Sequence, residues 1–260
     1  MKMIKLILII LTFTTFNCFS QSIATAINHD RKYNIKQEFI VKKITSKITY
    51  YRKNKTERKR EISNFNEKNM LKSELRYDEE GKLTARLNVK YDSTKTRSLG
   101  RKYETWSKAI GYRSGIAEYI YDINNFLIKT VEKNSKNQIF RITSLENNEK
   151  GNPIKLVLKE NNFKGIQTAV YDYDKNIVEI SVLNNNGKVI SKSKKRIKFY
   201  ERKFKDLKYN ENGDLIESNG KKYSYKYDKN KNWIRKTNYE LKNGKWKKYQ
   251  TIERKIKYRN

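Results

Sequence analysis

The sequence predicts an all-β protein, an array of antiparallel β-hairpins laid side by side in one long, curling sheet. Three observations predict it. Apolar and polar residues alternate strictly in many short runs, as in Tyr223, Tyr225 and Tyr227 between Lys222, Ser224 and Lys226, which places three rings on one strand face. Between the runs stand Asn, Asp and Gly, residues that bond their own backbone or accept left-handed conformations, so the chain can reverse there. A unit of an aromatic or Leu, then Asp or Asn, a short polar stretch, an apolar pair and a polar tail recurs along the chain. Such self-similarity marks a repeat architecture.

Residues 1–20 open with Lys2 and Lys5, continue with an apolar run from Ile4 to Phe16 and end at Asn17-Cys18-Phe19-Ser20. A run this short, with small residues at the −3 and −1 positions, reads as a secretory signal peptide cleaved between Ser20 and Gln21. Cys18 as a lipid-attachment residue is the alternative, and Thr15-Phe16-Asn17 before it is a poor match. Cleavage removes the only cysteine, so the mature chain is expected to hold no disulfide. It also removes two lysines and no acids, which lowers the formal charge from +32 to +30.

Residues 21–61 form a basic, less regular segment. It contains a predicted strand from Ile44 to Tyr50 in which Ile44, Ile48 and Tyr50 share a face. The run Arg52 to Arg60, dense in Lys and Arg around Glu57, reads as a solvated loop or strand end. No Pro-, Gly- or Ser-rich linker follows, and 62–260 reads as one repeat domain. Its units begin at Phe65, Tyr77, Tyr121, Leu183, Tyr209 and Tyr227, with a variant at Leu145 that reads as a longer turn. After Gly81, the residues Leu83, Ala85, Leu87, Val89 and Tyr91 fall on one face; Val178, Ile180 and Val182 do the same. Asn-Gly pairs at 186–187, 212–213, 219–220 and 243–244 signal hairpins. The last predicts a C-terminal hairpin ending in a strand from Ile252 to Tyr258.

Gly220 to Trp233, with Tyr225, Tyr227, Asp228 and Asn232 in place and Lys231 where Gly is expected, resembles the motif of the YD-repeat (RHS-type) family. Gly115 to Leu127 keeps Tyr119, Tyr121 and Asp122, and Tyr171 to Asp174 keeps Tyr-x-Tyr-Asp. The resemblance implies hairpins in a long curling sheet. Full-sized relatives build shells or stalks, but this chain is too short to enclose another domain.

Composition narrows the chemistry. Hydrophobic content is only 36%, yet 19 Tyr, 10 Phe and 3 Trp cover enough area to build a core, which argues against disorder. His29 is the only histidine, so a His-based triad or multi-His metal site within one chain is excluded; it reads as an exposed loop imidazole. Asp78, Asp122, Asp174 and Asp228 each follow a strand-ending aromatic, where capping of a turn is the ordinary use. No catalytic residue, metal ligand or cofactor site is assigned.

The excess of 60 Lys and Arg over 28 Asp and Glu would attract polyanions. An AT-rich coding bias enriches Lys, but it enriches Glu too. The densest stretch, Gly187 to Lys205, carries Lys188, Lys192, Lys194, Lys195, Arg196, Lys198, Arg202, Lys203 and Lys205 against Glu201, with Phe199, Tyr200 and Phe204 between. It is either the wet face of a strand or a strip that binds a polyanion. The expected function is a non-catalytic, exported β-repeat protein, a binding or structural module of the periplasm, outer-membrane surface or extracellular space with an envelope or extracellular partner. A polyanion-binding protein for lipopolysaccharide, anionic lipid or nucleic acid is the alternative, and a carbohydrate-active enzyme is the third. No transmembrane segment is expected in the mature chain.

Overall fold

The computed structural model describes residues 22–27, 29, 33, 35, 36, 38–196 and 207–259. The signal peptide, its Ser20–Gln21 cleavage site, and Lys198, Arg202, Lys203 and Lys205 of the basic strip lie outside them. One helical turn, α1 (Ile23–Ala26), precedes seventeen strands: β1 (Val41–Tyr51), β2 (Thr56–Phe65), β3 (Leu71–Tyr77), β4 (Leu83–Tyr91), β5 (Ser98–Ser107), β6 (Gly111–Tyr121), β7 (Leu127–Asn134), β8 (Ile139–Asn147), β9 (Pro153–Glu160), β10 (Phe163–Asp172), β11 (Ile177–Leu183), β12 (Val189–Arg196), β13 (Lys208–Tyr209), β14 (Leu215–Ser218), β15 (Lys221–Tyr227), β16 (Trp233–Lys242) and β17 (Lys245–Tyr258). All belong to one sheet, and its recorded pairings are antiparallel. No described helix is long and apolar enough to cross a membrane, which says nothing of strands.

Sequence neighbours pair as hairpins from β1 to β12 and again from β13 to β17. The first and last strands also pair, Ile44 opposite Ile256 and Ile48 opposite Ile252. The two ends of the chain therefore meet inside the sheet, and β1 lies between β17 and β2. The 61/62 division drawn from the sequence falls inside β2. Only Arg52–Lys55 of the basic run form a turn, because Thr56–Arg60 are already paired with β1.

The turns follow one chemical rule. In nine connections an Asp or Asn begins the turn, and the amide three residues on returns to its carbonyl, as Gly81 does to Asp78 and Lys231 to Asp228. Its side-chain Oδ1 accepts a further amide beyond the turn, from Lys82 at Asp78, Phe126 at Asp122 and Asn152 at Asn148. That third residue is left-handed: Gly81, Gly151, Gly187 and Gly213; Asn69, Asn125 and Asn137; Lys95 and Lys231. This is a type I turn with a glycine-type bulge, and register shifts at the flanking pairs mark it. Asn219-Gly220 and Asn243-Gly244 differ, since both residues have positive φ and close two-residue hairpins. The connection near Leu145 is not longer than the others; its turn simply starts at Asn148.

The tyrosine before the capping Asp has its own task. Tyr91, Tyr121 and Tyr171 donate their hydroxyls to the carbonyls of Leu71, Ser98 and Pro153, at 2.8, 2.6 and 2.8 Å, each at the start of the adjacent strand. The Tyr-Asp dipeptide thus caps its own turn and ties that end of the strand to its neighbour.

The described residues between 22 and 40 lie over one face of the sheet. Ile23 is buried among Leu156, Leu158, Ala169 and Val178 over β9 to β11, and its amide donates to Gln167 Oε1 at 3.0 Å. His29 reaches β6, Tyr33 packs on Phe65 of β2, and the Lys36 amide donates to Asn232 Oδ1 in the β15–β16 turn at 2.7 Å. From Ile23 to Lys36 the chain can extend at most about 45 Å. Along the pairings, β10 lies some twelve strand spacings from β15, about 58 Å of sheet. The sheet therefore curls around the segment, and the covered face is concave.

Candidate binding surfaces

On the concave face two clusters of charge are internally paired. Arg141 of β8, 6% exposed, donates from Nη1 to Glu132 on one neighbouring strand at 3.2 Å. From Nε and Nη2 it donates to Glu160 on the other neighbour, at 3.0 and 2.8 Å. Burial pushes the Glu132 carboxyl up, and the Arg141 and Arg101 guanidiniums oppose that shift. A second cluster lies under the N-terminal segment. Arg76 donates to Glu74 at 2.7 Å and stands 3.8 Å from Glu61, while Tyr33 bonds Ser63 at 3.2 Å. Burial first, and then the Glu74 carboxylate, push Glu61 up to about 7. Burial brings Arg254, stacked 3.2 Å from the centre of the Trp233 ring, down to about 10.

The carboxylates of the turns have structural uses. Asp78, Asp122 and Asp228 cap their turns as expected. Asp174 does not: β10 ends at Asp172, whose Oδ1 accepts the Lys175 amide, so the cap lies two residues earlier than the Tyr-x-Tyr-Asp pattern implies. His29 is not an exposed loop imidazole. Its Nε2 shares a hydrogen bond with the Tyr121 hydroxyl at 3.0 Å and its ring meets Tyr119 edge-on at 4.2 Å. Among the described residues no group of three or more His, Cys, Asp or Glu side chains could hold a metal ion.

The described part of the basic strip is β12 and the turn before it. Every residue of β12 is exposed, and its recorded partner is β11. Lys192, Lys194 and Arg196 alternate on one face with Lys195 on the other, and Lys188 sits in the turn with its amide bonded to Asn184. Glu179 of β11 stands 3.3 Å from Lys192 and 3.6 Å from Lys194, so these two lysines share one carboxylate.

The convex face holds a second basic array that reading the sequence run by run does not reveal. Lys226, Arg235, Glu253, Lys47, Arg60 and Tyr77 stand directly opposite one another on β15, β16, β17, β1, β2 and β3, in one row perpendicular to the strands. All four cations are exposed. The legible signal is Arg58-x-Arg60 and Lys43-x-x-x-Lys47, which keep basic residues on one strand parity. What aligns them is the pairing of β1 with both β2 and β17, a contact between the two ends of the chain.

The fold and surfaces define an all-β, single-sheet protein with a covered concave face and a basic convex one. No family model and no curated protein matches the chain. Among solved structures it is similar to a porin-like protein from Bacteroides uniformis at 10% identity and a TM-score of 0.32, covering 84% of this chain and 98% of that one. It is also similar to a putative outer membrane lipoprotein-sorting protein domain from Vibrio parahaemolyticus at 12% identity and a TM-score of 0.22, covering 91% and 90%. At such scores neither likeness carries fold or function over.

Proposed function

We propose that the chain is a non-catalytic, exported β-repeat protein, a binding or structural module of the cell envelope or its exterior. The observation that carries this reading is the use to which its carboxylates are put. Glu132 and Glu160 hold Arg141 in a buried network, and Asp78, Asp122 and Asp228 cap turns, so these acids are committed to holding the sheet. The export half rests on the basic-apolar start and Cys18-Phe19-Ser20. The YD-repeat resemblance agrees with the hairpin array and with the double role of Tyr-Asp.

Mass spectrometry of the protein recovered from its native cells tests this. A chain beginning at Gln21 outside the cytoplasm is expected. An intact Met1 chain in the cytoplasm overturns export, and a lipid-modified Cys18 moves the protein to a membrane leaflet. Turnover of a glycan that is abolished by a carboxylate substitution would restore the enzymatic reading.

Polyanion binding is the second reading, favoured by Lys192 and Lys194 sharing one exposed face with Arg196. A lipid-inserted barrel fits poorly, because outward residues such as Lys47 and Arg60 are charged at mid-strand and each costs about 2–4 kcal/mol at a bilayer midplane.

A further inference from the structure

We infer that the row Lys226, Arg235, Lys47 and Arg60 on the convex face is a binding site for a single extended chain of acidic polysaccharide. The inference deepens the reading of the protein as an exported binding module and rests on it. Two cross-strand pairs in the row are like-charged, Lys226 opposite Arg235 and Lys47 opposite Arg60. Like charges directly opposite destabilise a sheet. A third such pair, Lys43 opposite Lys257, lies one row beyond Lys255 on the same face. Elsewhere the sheet often sets acids against its cations, as in Lys133 with Glu118, Lys155 with Glu146 and Lys208 with Glu217, and its other like-charged pairs, Lys159 opposite Lys164 and Lys242 opposite Lys245, are isolated beside hairpin turns. In the row the acid is Glu253, 3.8 Å from Arg235. Lys47 and Lys226 form no ion pair with any described residue.

The geometry points to one class of polyanion. Strands about 4.8 Å apart place the four cations along a line of roughly 20–25 Å, the footprint of a few sugar residues in an extended chain. The ring in the row, Tyr77, and one two rows away, Tyr51, are already capped by cations: Arg60 lies 4.2 Å over Tyr77, and Lys248 lies 4.1 Å over Tyr51. They present no free platform for stacking bases, which single-stranded nucleic acid uses. The row offers no large apolar side chain for insertion into a lipid surface, and a convex face suits a thin chain better than a stiff duplex. Carboxylate or sulfate groups on a glycan meet exposed Lys and Arg without any of these.

The test is binding of heparin and polygalacturonate to the mature chain as a function of salt, compared with Lys226→Gln/Arg235→Gln/Lys47→Gln/Arg60→Gln and with Lys192→Gln/Lys194→Gln/Arg196→Gln. The row variant is expected to lose at least tenfold in affinity at 50 mM salt. Its logarithmic salt slope should become shallower by about 3, as each neutralised charge on a dense polyanion contributes roughly 0.7 to 0.9. The β12 variant should change little. Its melting temperature is expected at or above the wild-type value for the row variant, since like-charge pairs are removed, which separates lost binding from lost folding. Loss of binding in the β12 variant alone overturns the row while leaving polyanion binding intact. Equal loss in both shows net charge only, and a row that binds single-stranded DNA or anionic vesicles as tightly as the glycans overturns the assigned ligand. Failure of wild type to bind any of them overturns the row but leaves export, read by the Gln21 terminus, unaffected.

Discussion

Around β2 the two faces of one sheet carry the same kinds of charge and treat them oppositely. On the concave face Glu61 and Glu74, half-buried and buried, pair with the more exposed Arg76; on the convex face of the same strands Arg60 meets Lys47 in open solvent. A charge that leaves water is costly unless matched, so the covered face had to acquire partners. A charge in water is screened within about 8–10 Å and tolerates a like neighbour at modest cost. Unmatched charge is therefore informative only on the exposed face, and there it marks a surface open to a partner.

The largest expected effect lies in the concave network. Arg141→Ala leaves Glu132 buried without its counter-ion and should destabilise the fold by about 3–5 kcal/mol, whereas Arg141→Met together with Glu132→Gln should cost much less. Urea unfolding of both variants checks this. Equal losses would show that packing, not charge matching, sets the cost.

Glu61 sharpens the comparison through pH. Its carboxyl titrates near 7 in the folded state against an ordinary value of 4.5, so between those values the folded chain holds a proton that the unfolded chain has released. Stability from this group is complete below about 4.5 and is lost as pH rises through 7, by about 1–3 kcal/mol. The groups facing it are Glu74, Arg76, Arg254 and Tyr33, and Glu74 is the one that raises it further. Glu61→Gln should flatten the stability profile between pH 4.5 and 7. A profile unchanged by the substitution would place the titration elsewhere.

The smallest effect is in the turns, which belong to neither face. Lys231 occupies a left-handed position at φ 57° that Gly fills in the equivalent turns, so Lys231→Gly should stabilise by about 0.5–1 kcal/mol. Gly81→Ala should destabilise by about 1 kcal/mol. An added Cβ there meets nothing within 4 Å, so the loss is purely conformational. Thermal unfolding of the pair reads both signs.

Much of the fold is legible because it is local. Leu83 to Tyr91 alternates, Val178 and Ile180 share a face, which is buried, and Tyr223, Tyr225 and Tyr227 share a face, with the last two rings 6.0 Å apart and near parallel. The turn rule is legible too, except where two candidate caps compete: Asp172 takes the turn that the Tyr-x-Tyr-Asp pattern assigns to Asp174, because the left-handed residue is Asn176 and not one further on. What the sequence hides is non-local. Ile23 bonds Gln167 across 144 positions, His29 finds Tyr121 across 92, and β1 finds β17 at the far end of the chain. Glu132 and Arg141 look like wet-face residues in their own runs. They become a buried pair only once the register sets them opposite each other and the N-terminal segment covers that face.

The convex row is held open for an anionic chain, whereas Glu132, Arg141 and Glu160 on the concave face are matched to one another. Lysine acetylation read by mass spectrometry, with and without a heparin fragment, tests it most directly. Lys47 and Lys226 should label readily in the free protein and be protected by the fragment, with Lys192 and Lys194 still labelled. Uniform protection of all four, or none at Lys47 and Lys226, would contradict it.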